Sequence, residues 1–127
     1  MTRVQADILP AIKDWLTPRI AGAEVRMNVP ERWIPANGPI LLVADDGGPM
    51  QWPIKSQHTI RLTAYAAGRT QARAIVTLAA GKLGTGRPTG VVSIDSEMGG
   101  VLDARDKDTG AFLASVLLTA QARTIQA

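Results

Sequence analysis

The sequence predicts an α+β fold: a mainly antiparallel sheet of about four to five strands with two helices packed on one face. Three observations predict it. Apolar residues recur at helical spacing in two segments, they alternate or run together over strand lengths in several others, and Gly- and Pro-rich stretches separate these segments. At 127 residues, 46% hydrophobic and 20% charged, the chain suits one globular domain over 1–127 with a modest core. Only Trp15, Trp33, Trp52, Tyr65 and Phe112 are aromatic, so the core is expected to be mostly Ile, Leu, Val and Ala.

The first helix rests on Val4, Ile8, Ile12 and Trp15/Leu16, spaced by three or four. Pro10 either lies in the first turn of a helix beginning near Asp7 or kinks it, and Pro18 and Gly22 end it. "AEVRMNVP" follows as a half-buried strand, with Val25, Met27 and Val29 alternating against Glu24, Arg26 and Asn28. "ERWIPANG" reads as a loop, and "PILLVA" as a central strand buried on both faces. In "ADDGGPMQWP", Gly47 and Gly48 give the backbone freedom and Pro49 is expected to end any pairing.

"QHTIRLTAYA" alternates, His58, Ile60, Leu62 and Ala64 on one face and Thr59, Arg61, Thr63 and Tyr65 on the other. The second helix is "GRTQARAIVTLAAGKLG", with Thr70 as N-cap, a buried stripe of Ala72, Ile75, Val76, Ala79 and Leu83, and an end near Lys82 and Gly84. "GTGRPTG" is a connector, "VVSIDSE" a strand, and "GGVLDARDKDTGA" a turn-rich loop. "AFLASVLLTAQAR" alternates again, and is long for a strand.

Composition excludes some chemistry. No cysteine is present, so disulfides and thiolate metal sites are out. The start lacks the apolar run of a signal peptide, and no aliphatic run approaches the ~20 residues of a membrane span, so a chain made in the cytoplasm without membrane contact is expected. The formal charge of +3, with ten dispersed arginines among 14 basic residues, permits nucleic-acid contact without demanding it.

The sites that look chemical fail on spacing. Asp45 and Asp46 are adjacent, so at a strand end they point to opposite sides, and a solvated turn is the simpler reading. Asp103, Asp106 and Asp108 miss the first, third and fifth positions of a calcium loop, and no Glu follows Glu97. "GKLGTGRPTG" lacks the residues of a phosphate loop, since Leu83 follows Lys82. His58, the single histidine, has no G-x-S-x-G setting around it and reads as structural. The expectation is a non-enzyme with no catalytic residue, metal or cofactor.

Taken together, a helix, a strand ending in "NVP", "GPILLVADDGG", the alternating "IRLTAYA", the alanine-rich "TQARAIVTLAAGKL" and the late unit "DKDTGAFLASVLLTAQAR" resemble the tail terminator proteins of long-tailed bacteriophages, the short actinobacterial-phage type in particular. The resemblance spans nearly the whole chain, with Pro30, Gly47-Gly48, Tyr65-Ala66 and Asp108-Thr109-Gly110 as local anchors. It implies a structural virion protein at the head-proximal end of the tail. There a six-membered homo-oligomeric ring caps the tube of major tail protein, ends its polymerisation, offers a surface to the head connector or head-closure protein, and lets genomic DNA pass non-specifically through its lumen.

On that footing Asp45, Asp46, Met50, Trp52, Arg105, Asp106 and Lys107 are candidates for contact with a neighbouring subunit, tube or connector. Arg61, Arg69 and Arg73 are candidates for contact with DNA in the lumen or with an acidic partner. Trp52 is the sharpest, because aromatic residues are enriched where interfaces carry their energy; its alternative is to cap the domain's own core. Other readings are a neck or head-closure protein of the same junction, a small nucleic-acid-binding module, and a small hydrolase built on His58.

Overall fold

The computed structural model describes residues 2–95 and 99–127. The chain runs β1 (Arg3–Val4), α1 (Leu9–Leu16), β2 (Glu24–Arg26), β3 (Ile40–Asp45), β4 (Met50–Gln51), β5 (Lys55–Ala66), α2 (Arg69–Thr85), β6 (Val91–Ile94), β7 (Leu102–Arg105), β8 (Phe112–Arg123) and β9 (Ile125–Gln126). The fold is α+β; the described residues form two α-helices and a sheet larger than expected. Seven strands join it, in the order β2-β3-β5-β8-β6, with β4 added to β5 and β7 added to β8. β1 and β9 form a separate antiparallel ribbon.

The sheet is also mixed. β2 and β3 are parallel, whereas β3 and β4 run antiparallel to β5, and β5, β6 and β7 run antiparallel to β8. The segment between β2 and β3 does not reverse the chain as a hairpin would. It crosses the sheet and buries Trp33 against Ile40 and Ala111, with the Trp33 ring edge-on to Tyr65 at 5.8 Å and its Nε1–H donating to the Gly38 carbonyl. That crossing buries Ile40 on the outer face, but Leu42 and Ala44 further along are only half-buried. β3 is therefore covered on both faces at its start and not, as was expected, along its whole apolar run.

Two long strands, β5 and β8, pair along all of β5, from Lys55↔Arg123 to Ala66↔Phe112. Their inward residues alternate as the sequence indicates: His58, Ile60, Leu62 and Ala64 on β5, and Ala114, Val116, Leu118 and Ala120 on β8, are all buried. Both helices pack against this face, and Ile12, Leu16, Val76 and Leu83 complete the main core with it. Each fully buried Leu or Ile contributes about 1.5–3 kcal/mol relative to leaving it in water.

Several boundaries differ from expectation for identifiable reasons. α1 begins at Leu9, so Pro10 falls within its first turn, where a missing N–H costs nothing; Val4 lies in β1, outside the helical stripe. Gly68, not Thr70, caps α2, and the helix runs on to Thr85. β2 stops at Arg26 because the chain bends away, leaving Met27 and Val29 exposed where burial was expected. The segment expected as a loop after Gly99 contains β7, a strand whose four residues are all exposed and so carry no burial pattern. Of the strand expected over 91–97, Val91–Ile94 is observed; Ser96 and Glu97 lie outside the described residues.

Candidate functional site

β3, β4 and β5 make one long hairpin arm. From Asp45 to Met50 the first side advances five residues while the second, Ile60 to Ser56, advances four, so one extra residue is accommodated as a β-bulge. Pairing continues through it: Asp46 donates its N–H to the Thr59 carbonyl, Thr59 donates to Gly47, and Gln57 donates to the Pro49 carbonyl. Pro49 therefore does not end the ladder; it lacks a donor, and its acceptor is the group used. Gly47 has φ +82°, which a side chain rarely adopts, and a Cβ on Gly48 would sit 2.5 Å from the Gln57 carbonyl oxygen. Both glycines are dictated by the bulge.

Asp45 fastens the bulge to the core. One carboxylate oxygen accepts the Gly47 N–H at 2.8 Å, and the other lies 2.6 Å from His58 Nδ1. His58 Nε2 lies 2.7 Å from Ser56 Oγ. A carboxylate only accepts, so Nδ1–H is the donor to Asp45, and in the neutral ring Nε2 accepts the Ser56 hydroxyl. Asp45 is thus not part of a solvated turn, while Asp46 points to the other face and pairs with Arg61 at 3.4 Å. Serine, histidine and aspartate stand in the order of a nucleophile-activating relay. Ser56 and His58 are each only 1% exposed, so in this arrangement an acyl group has no route to the hydroxyl.

Beyond the bulge the arm ends in a tight turn, with the Gln51 carbonyl accepting the Ile54 N–H and a cis Trp52–Pro53 peptide. Thr124 holds this tip: its N–H donates to the Ile54 carbonyl, its hydroxyl to the Pro53 carbonyl, and its own carbonyl accepts from Arg3. Trp52 is 59% and Ile54 60% exposed, and Ile125, which follows Thr124, is also exposed. Trp52 does not cap the core. Met50 is half-buried and lines a small cavity with Lys55, Gln57 and Gln121.

The other candidates lie elsewhere. Arg105, Asp106 and Lys107 sit at the opposite end of the long strands, about 36 Å from the tip at ~3.3 Å per residue of β5. Asp106 is occupied by its own turn, accepting from the Thr109 hydroxyl and the Asp108 N–H, and Arg105 lies over the Phe112 ring at 4.5 Å. Lys107 is exposed. Arg69 and Arg73, one helical turn apart on α2, both grip Asp103 of β7, at 2.9 and 3.0 Å. The Arg73 hydrogen bond, helped by the Arg69 charge, holds the Asp103 carboxyl below its ordinary value. The candidates therefore form no single site: Met50 and Trp52 go to one end, residues 105–107 to the other, and the arginines are paired with aspartates.

Among the described residues no group of three or more His, Asp or Glu side chains is placed to hold a metal ion, and no helix is long and apolar enough to cross a membrane. No model of a known protein family matches the chain, and neither does any curated protein. Ser56, Ile54, Thr124 and Ile125 were not among the residues singled out by sequence. Ser56 shares a strand face with His58 two residues on, a readable signal; Thr124 follows a long strand and carries none.

Proposed function

We propose that this chain is a structural joining protein of the tail-terminator kind: a ring-forming virion subunit that caps the head-proximal end of a phage tail tube, stops its growth and receives the head connector. The observation that carries the reading is the hairpin tip. Trp52 and Ile54 are exposed at the end of an arm whose root is fixed by Asp45, His58 and Ser56 and whose turn is fixed by Thr124. A rigid apolar tip binds with little loss of side-chain freedom, which suits assembly onto another protein.

Support also comes from the order and spacing of segments that resemble terminators, and from a strand axis with distinct ends: the tip at one, the turn carrying Arg105 and Lys107 at the other. A subunit between tube and connector needs two unlike end surfaces. Arg61, Arg69 and Arg73 keep acidic partners within the chain, which suits a lumen that lets DNA slide through without gripping it.

The test is imaging of the purified chain mixed with assembled tail tubes. Added density at one tube end supports the proposal. Bare tube ends, together with DNA binding that weakens steeply with salt, favour a nucleic-acid-binding module instead.

A further inference from the structure

The two edges of the sheet are level with each other. Following the pairing across the strands gives three complete rows: Glu24–Ile40–Tyr65–Leu113–Ala104, Val25–Leu41–Ala64–Ala114–Asp103, and Arg26–Leu42–Thr63–Ser115–Leu102. Each row starts on β2 and ends on β7, the two strands with no further strand beyond them at this height among the described residues. Because β2 runs with β3, and β3, β5, β8 and β7 alternate in direction, β2 and β7 point opposite ways.

We propose that copies of this chain join head to tail by antiparallel pairing of β7 of one copy with β2 of the next, extending the sheet from subunit to subunit. This rests on the ring reading above and names the contact that closes the ring. Continuing the rows sets Arg26 against Leu102, Val25 against Asp103 and Glu24 against Ala104. A contact that joins positions of equal height adds no rise along the strands, which a closed ring requires; the ring closes when the turn from one copy to the next divides a full circle.

Both edges also leave apolar side chains in water. β2 ends at Arg26, and Met27 and Val29 follow where the chain bends away from the sheet. At the β7 edge lies a hollow of about 680 Å3, walled by Leu102, Leu117, Gly99 and Gly100 with the Asp46–Arg61 pair at its side. Met27 and Val29 are 49% and 39% exposed, Leu102 and Leu117 69% and 42%. Each edge thus carries exposed apolar surface that a contact between copies removes from water. Asp103 holds β7 against α2 through Arg69 and Arg73, which keeps this edge extended for pairing.

The chain has no cysteine, so introduced ones report the contact alone. Arg26 and Leu102 lie four strand spacings apart within a subunit, about 19 Å, too far for an internal disulfide. Under mild oxidation the double variant Arg26→Cys/Leu102→Cys is expected to give a ladder of covalent oligomers, free at the highest soluble concentration or bound to tubes, while each single variant gives none. Adding Leu117→Arg, at an exposed position, should reduce the ladder about tenfold. Rings or capped tubes without a ladder overturn the edge pairing and leave the terminator reading standing. Covalent dimers from Leu102→Cys alone mean that two β7 edges meet symmetrically, and also overturn it. A ladder from a chain that ignores tubes supports the pairing and removes the terminator reading.

Discussion

His58 Nδ1 lies 2.6 Å from the Asp45 carboxylate, and through that single contact a buried strand residue fixes a surface bulge. The other Asp45 oxygen holds the Gly47 N–H, and Ser56 occupies the far side of the ring. Replacing His58 by Ala leaves one Asp45 oxygen and the buried Ser56 hydroxyl without their partner and opens a cavity in the core. A loss of about 2–4 kcal/mol in denaturant unfolding is expected. Because Ser56 is enclosed, a serine-directed fluorophosphonate should leave the native protein unlabelled; stoichiometric labelling at Ser56 would reveal an open, reactive state.

Gly48 faces a different constraint. A methyl group there meets the Gln57 backbone carbonyl at 2.5 Å, and backbone in a paired strand does not yield cheaply. Gly48→Ala should cost about 1–3 kcal/mol by the same unfolding measurement, with the hairpin amides showing the largest rise in hydrogen exchange.

Asp103 sets a pH dependence. Its folded pKa lies below the ordinary 3.8, chiefly through the Arg73 hydrogen bond. A depressed carboxyl contributes stability that is fully present above the unfolded value and disappears as pH falls through the folded one. The increment should therefore be present at neutral pH and fade below about pH 4. Carbon-detected NMR titration should place the Asp103 midpoint below 3.8 in the native protein, and Asp103→Asn should flatten that part of the stability profile.

Trp52 separates stability from assembly. With 59% of its surface in water, Trp52→Ala should change unfolding free energy by no more than about 0.5 kcal/mol. Binding to the tube or connector should weaken by about 2 kcal/mol or more if the indole anchors that contact, measured by co-sedimentation with tubes or with connector.

Much of the interior was legible in the sequence. Period-two alternation gave the inward face of β5 and β8 residue by residue, and the 3.6 period gave the buried stripe of α2, because burial on one face leaves a periodic trace. β7 was missed for the converse reason: an exposed edge strand buries nothing, so Leu102–Arg105 resembles a loop. The parallel placement of β2 depends on where Trp33 docks, a long-range contact that local pattern does not encode. The Asp45–His58 pair joins residues 13 apart across a bulged hairpin, and only the register brings them together. The exposed tip was legible in part, through Trp52; its fastening by Thr124 was not.

Tube growth tests the proposed capping role without an intermediary. Major tail protein is polymerised in the presence of increasing amounts of the purified chain, and tube lengths are measured by electron microscopy. Elongation is expected to arrest at far fewer chains than tube subunits, with density on one end of each arrested tube. Tubes that grow to their normal length distribution at every concentration, with both ends bare, would contradict the capping role.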